Sequence, residues 1–357
     1  MVERQPHYRT GRADLDQKLD ELLDAAGAGG NRDQLFEILA AATRLAGAEV
    51  DRLSLKITNA ALRELTRAFR IFAPYRGVPK VTMFGSARTL ADDPLYAQAR
   101  DLARLLAATG WMVVTGGGPG IMAAGLEGAG RKHSFGINIR LPFEQGANEF
   151  IAGDPKLVTM KYFFTRKLML LKESDGFVVL PGGFGTLDEA LELLTLMQTG
   201  KADPCPVVLL EVPGGTYWHA WERFVADEVI TRGLASPEDR ALYRVADDVT
   251  DAVAEILGFY RNYHSRRSVG DQFVIRLLAP PTPAEVAALS EEFADICSEG
   301  AIAPSGPLPA EIEDGDQLDL PRIVFSFDRM SHGRLRVLID RLNTLDSAPP
   351  PAAVPPA

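Results

Sequence analysis

The chain has 357 residues, a formal net charge of −10 and 46% hydrophobic residues. That length allows a large core and about two domains, while the acidic balance leaves no basic footprint for sequence-independent binding to a nucleic-acid backbone. Two cysteines, Cys205 and Cys297, stand without metal-ligand spacing, and no apolar run reaches the roughly 18 residues of a membrane span. The expectation is a cytoplasmic protein with no metal site and with neither membrane nor nucleic acid among its partners.

Residues 1–75 read as a helical preface, in which Leu53, Ile57, Leu62, Leu65 and Phe69 fall near a 3.6-residue period. After Pro74 and Pro79 the pattern changes to short apolar runs closed by glycine or proline. Strands are expected at 81–84, 111–115, 135–139, 176–180 and 207–210, and helices near 96–108, 121–129, 164–172, 187–198 and 218–229. Such alternation predicts an α/β domain over 76–262, a Rossmann-like doubly wound parallel sheet covered on both faces. Over 263–346, strands at 272–277 and 323–327 with helices at 283–298 and 333–343 suggest a small α+β appendage. The proline- and alanine-rich residues 347–357 have nothing to pack and read as a disordered tail.

Three expected strand ends carry glycine loops: Gly85-Ser86-Ala87-Arg88, Gly116-Gly117-Gly118-Pro119-Gly120 and Pro181-Gly182-Gly183-Phe184-Gly185-Thr186. Glycine lets backbone N–H groups approach a ligand, and the helix that follows presents unsatisfied N–H groups to an anion. Any one such loop is as well explained by a tight turn; three in one sheet favour an anion site. The run from Gly118 to Ala123 fits G-x-G-x-x-A, but the next strand ends in Ile139-Arg140 and lacks the carboxylate a dinucleotide ribose requires. No Walker lysine follows the third loop, where Gly185-Thr186-Leu187 stands. A mononucleotide or phosphosugar remains.

Thr186-Leu187-Asp188-Glu189 also has the spacing of a capping box, with threonine as N-cap and Glu189 folding back upon it. The other reading puts the Glu189 carboxylate at the reacting end of a bound nucleotide, and spacing does not choose between them. His133, His219 and His332 form no metal spacing, and Tyr217, Trp218 and Trp221 read as packing or a subunit contact.

The segment from Pro181 to Glu189 resembles the P-G-G-x-G-T-x-x-E signature of the LOG ("Lonely Guy") proteins, the cytokinin riboside 5′-monophosphate phosphoribohydrolases. Met160 through Lys167 resembles the family's Met…Arg-Lys element, and the loops at Gly85 and Gly116 fall where the family has them. The resemblance covers about 80–257 and leaves out the preface and the appendage. It implies Arg166 and Glu189 as catalytic residues, and Gly117, Gly118, Lys167, Gly182, Gly183, Gly185 and Thr186 as substrate-binding ones. Looser alignments add Glu144 and Thr195. The aromatic pair Phe163-Phe164 departs from the histidine and small polar residue of short plant-like members, which bears on base selectivity.

The implied substrate is a nucleoside 5′-monophosphate, with no cofactor and with a homodimer or higher homo-oligomer as the assembly. The alternative is a non-catalytic nucleotide-binding or cofactor-carrier protein on the same fold, against which the presence of both Arg166 and Glu189 argues. A decarboxylase using pyridoxal phosphate needs a Schiff-base lysine, and neither Lys161 nor Lys167 stands in such a context.

Overall fold

The computed structural model describes residues 5–140 and 146–354. Its first elements are helices α1 (Ala13–Ala25), α2 (Arg32–Ala46) and α3 (Arg52–Phe72). The α/β part follows as β1 (Lys80–Phe84), α4 (Pro94–Ala108), β2 (Met112–Thr115), α5 (Ile121–Ala129), β3 (Ser134–Ile139), β4 (Leu157–Met160), α6 (Phe163–Lys172), β5 (Gly176–Val179), α7 (Phe184–Gln198), β6 (Val207–Leu210), α8 (Tyr217–Phe224), β7 (Arg244–Ala246) and α9 (Val249–Phe259). The last part comprises β8 (Tyr263–Val269), β9 (Gln272–Leu277), α10 (Pro283–Glu292), β10 (Cys297–Ser305), α11 (Pro309–Asp314), β11 (Arg322–Phe327) and α12 (His332–Asn343).

Two compact units divide the chain, 1–63 with 309–316 and 64–308 with 317–357. The division falls inside α3, and of the residues after 262 only 309–316 cluster with the first unit. Within the first unit α1 and α2 bury Leu19, Leu23, Phe36 and Ala40 against each other. Arg32 ties the pair, meeting Asp20 at 3.1 Å and Asp24 at 2.7 Å.

The second unit is built on a seven-stranded sheet ordered β4-β3-β2-β1-β5-β6-β7, with every neighbouring pair parallel. Strands β1, β2, β5 and β6 are buried at every position, as apolar runs must be when helices cover both faces. Val81, Met83, Val113, Val178 and Val208 face Leu102, Leu106, Ala124 and Val253 of α4, α5 and α9. On the other face Val114, Phe135, Phe177 and Val179 meet Ala68 and Phe72 of α3, Leu170 of α6, Leu193 of α7 and Trp218 of α8. The strand order reverses at the β1–β5 junction, where open α/β sheets bind ligands beyond their carboxyl ends.

Strands β4 and β7 at the two edges and helix α9 go beyond the sequence expectation. Helix α8 ends at Phe224 and runs on as a π-helical turn over Val225–Ile230.

The C-terminal part is a four-stranded antiparallel sheet, β10-β11-β9-β8. Ile275, Leu277 and Phe325 pack there against Leu289 of α10 and Leu338 and Ile339 of α12. Polar contacts fasten it to the parallel sheet's helices. The buried Arg336 of α12 donates to Asp340 at 2.9 Å, to Glu255 of α9 and to the Cys205 carbonyl at 3.3 Å. Asn343 Oδ1 accepts the N–H groups of Asn262 and Tyr263, each at 2.8 Å. The expected disordered tail is anchored where it begins: Ala348 is buried, the Ser347 N–H donates to Glu285, and the Pro349 carbonyl accepts from Arg261 at 2.6 Å.

Breaking a buried ion pair from one side leaves an uncompensated charge. Arg336→Ala should therefore lower the unfolding free energy by about 3 kcal/mol in urea titrations, whereas Asp340→Asn, with a half-exposed carboxylate, should cost under about 1 kcal/mol.

Candidate active site

The glycine loops lie side by side because β1 lies between β2 and β5. Ser86 stitches them together. Its N–H donates to the Pro181 carbonyl at 3.3 Å and its carbonyl accepts the Ile121 N–H at 3.0 Å, linking the first loop to the third and to the helix after the second. At Gly120, with φ +67°, a β-carbon would run into that Ser86 carbonyl, so only glycine permits the approach. Gly117 is held by the Thr115 hydroxyl at 3.1 Å, and Asn148 clamps the same run, its N–H to the Gly117 carbonyl at 2.8 Å and its Nδ2 to the Gly118 carbonyl at 2.7 Å.

Arg166 projects from the second turn of α6. Its Nε donates to the Ile137 carbonyl of β3 at 2.9 Å, and its Nη2 occupies space that a side chain at Gly116 would fill. The glycine run thus gives room to the guanidinium as well as to a ligand. Helix α6 begins without a cap from its own N-cap residue, Tyr162. Glu64 of α3 braces this start without capping it, accepting the Lys161 N–H at 2.9 Å and the Thr165 hydroxyl at 2.7 Å, and its negative charge suits a helix N-terminus.

Helix α7 begins three residues earlier than the capping box requires. Gly183 is its N-cap, and its carbonyl accepts the N–H groups of Thr186 at 3.0 Å and Leu187 at 3.1 Å. Thr186 is therefore inside the first turn, where its Oγ1 packs against Gly182, and Glu189 is free of the capping role. The Glu189 side chain turns into the protein: the residue is 8% exposed, and its Oε2 has no hydrogen-bond partner among the described residues. Burial pushes its pKa up to about 7, against the attraction of Lys167 and Arg166.

Lys167 Nζ lies 4.0 Å from Glu189 Oε2 but bonds Glu192 at 2.6 Å and Asp188 at 2.7 Å. Burial alone would lower its pKa, yet those carboxylates outweigh it and hold the ammonium above its ordinary value.

The fold thus brings together Gly117, Gly118, Arg166, Lys167, Gly182, Gly183, Gly185, Thr186 and Glu189. Thr195 is not gathered with them: it is exposed, about 9 Å farther along α7 at 1.5 Å per residue, and its hydroxyl donates to the Leu191 carbonyl at 2.7 Å. Glu144 lies outside the described residues. Glu64 and Asn148 escaped the sequence reading, and Tyr217 was read only as packing or a subunit contact. Tyr217 donates its hydroxyl to the Gly182 carbonyl at 2.7 Å; Trp218 beside it is core, as one of the two readings of that cluster had it. Only Asn148, a local-turn former close to the glycine run in space, carried a residue-type signal.

A desolvated carboxylate and a guanidinium thus stand at the glycine-lined switch point of a protein of the doubly wound α/β class. The family profile described as "Possible lysine decarboxylase" matches residues 116–256. The chain is 33% identical to a probable cytokinin riboside 5′-monophosphate phosphoribohydrolase of Oryza sativa subsp. japonica, over 48% of this chain and 80% of that one. To a probable enzyme of the same name from Arabidopsis thaliana it is 36% identical, over 40% and 69% of the two chains. The chain belongs to the LOG family of phosphoribohydrolases. Among solved structures, the molybdenum cofactor carrier protein of Chlamydomonas reinhardtii aligns with a TM-score of 0.35 at 23% identity, over 50% of this chain and 94% of that one. No helix among the described residues is long and apolar enough to cross a membrane.

Because the folded-state pKa of Glu189 is raised from 4.5 to about 7, the folded protein holds more protons than the unfolded chain between those values. Its stability contribution is complete below pH 4.5 and is lost as pH rises through about 7, by a few kcal/mol at most. Glu189→Gln should therefore melt above the wild type at pH 8, with the two curves converging near pH 4.5, as calorimetry at several pH values would record.

Proposed function

We propose that the protein hydrolyses the N-glycosidic bond of nucleoside 5′-monophosphates, releasing the free base and ribose 5-phosphate, with cytokinin riboside monophosphate or general purine and pyrimidine monophosphates as substrates. The observation that carries this reading is the buried carboxylate of Glu189, one oxygen of which has no hydrogen-bond partner among the described residues, set beside Arg166 at the glycine loops. The N-terminus of α7 and the loop at Gly182 and Gly183 receive the 5′-phosphate on backbone N–H groups. The ribose then lies toward Glu189.

Departure of the base develops oxocarbenium character on the ribose, which an ionised Glu189 stabilises while it orients or deprotonates the attacking water. Arg166 stays charged at all relevant pH, so its part is electrostatic and orienting: a planar fork for phosphate or ribose hydroxyls. Its Nε bond to Ile137 fixes the plane of that fork. Lys167 is paired to carboxylates and held above its ordinary pKa, the opposite of what a Schiff-base amine requires, which argues against a decarboxylase.

The exposed side chains Phe163, Phe164 and Leu168 of α6 and Phe184 and Leu191 of α7, with Phe184 93% exposed, supply an apolar face beside the loops. We read it as the contact between copies of a homodimer or higher homo-oligomer in the cytoplasm.

Purified protein incubated with a panel of nucleoside 5′-monophosphates, isopentenyladenosine monophosphate included, should release free base and ribose 5-phosphate. Glu189→Ala should lower kcat by about 100-fold or more; binding without release from any member would refute the hydrolase. Since the ionised carboxylate is the working form, kcat/KM should climb with pH through about 7 and level off above it. For the assembly, light scattering should report a multimer that Phe184→Glu with Leu191→Glu dissociates.

A further inference from the structure

Tyr217 opens helix α8, and its hydroxyl reaches back to the Gly182 carbonyl at 2.7 Å. The ring has little freedom: it meets Trp218 edge-on, with centroids 4.8 Å apart at 86°. Trp218 is itself buried, and its backbone N–H is fixed to Glu211 Oε2 at 3.1 Å. The phenol is thus a rigid donor supplied from outside the glycine loops.

What it grips matters because of peptide geometry. The Gly182 carbonyl and the Gly183 N–H belong to one planar trans peptide and point in opposite directions. Two neighbouring glycines would otherwise let that plane rotate at small cost. With the carbonyl bound to Tyr217, the Gly183 N–H is turned away from α8. It has no partner among the described residues, and neither do the N–H groups of Phe184 and Gly185 at the start of α7. An anion received there meets donors already aimed rather than donors that must be ordered on binding.

Resting on the phosphoribohydrolase reading, we propose that Tyr217 is a positioning residue for the substrate phosphate, acting through the Gly182–Gly183 peptide. It touches no reacting atom, so its effect belongs in phosphate recognition rather than in the glycosidic step.

The test compares Tyr217→Phe with wild type for calorimetric binding of AMP and of adenosine, alongside kcat and KM. Expected is a weakening of AMP binding by roughly fivefold to tenfold, the loss of about one hydrogen bond's worth of alignment. Adenosine binding and kcat should stay within about twofold, as the effect acts on phosphate alone. Trp218→Phe serves as the packing control: it should lower the melting temperature and leave the ratio of AMP to adenosine affinity unchanged. Equal weakening of both ligands by Tyr217→Phe, or no weakening of either, overturns the proposal, as does a wild type that binds AMP no better than adenosine. Wild type that binds AMP and releases no base refutes the hydrolase alone, and Tyr217 is then judged on binding.

Discussion

The peptide of Ser86 is hydrogen-bonded on both sides, its N–H to the loop before α7 and its carbonyl to the first residue of α5. Every other feature of the crevice presupposes that stitch, because it fixes the distance between loops that leave the sheet from three different strands. The stitch exists only because β1 is flanked by β2 and β5, and it closes only because Gly120 presents no side chain to the Ser86 carbonyl. Topology brings the loops near one another; one absent β-carbon lets them touch.

The two helices that carry the ionisable side chains are steadied from outside the crevice. Helix α6 has its N-terminus braced by Glu64 of α3 and its Arg166 tethered to β3. Helix α7 is approached at its start by Tyr217 and bound near its end, where Gln198 donates to Asp239 at 2.6 Å. Between them Lys167 spans from α6 to Asp188 and Glu192 of α7. A carboxylate and a guanidinium on separate helices hold a fixed relation only when both helices are braced in this way.

The core strands were legible because a fully buried parallel strand is a short apolar run closed by proline or glycine, as Val207–Leu210 is just before Pro213-Gly214. The edge strands were not. In β4 alternate residues are partly exposed, and β7 is three residues long, so neither makes a run. Strand β8 hid for a related reason, since Ser265, Arg266, Arg267 and Ser268 make no apolar run and show as a strand only through the pairing with β9. The start of α7 was misplaced because a glycine N-cap has no side-chain oxygen to announce itself, while Thr186 does. Arg166 and Glu189 stand in motifs that single them out, but Glu64 and Asn148 bond across 97 and 30 residues of sequence and leave no local spacing to read. The tail misled because proline and alanine say nothing of the partner, here Arg261 and Glu285, that holds them.

Glu189 is a residue the fold would be better without. A carboxylate buried beside Leu193 and Ala190 on α7, with one oxygen lacking a hydrogen bond among the described residues, opposes folding at neutral pH, and an uncharged side chain of similar size would relieve it. Over evolutionary time, random substitution filtered only for folding would drift away from glutamate at this position. A library screened for thermostability alone would be expected to erase it among the first.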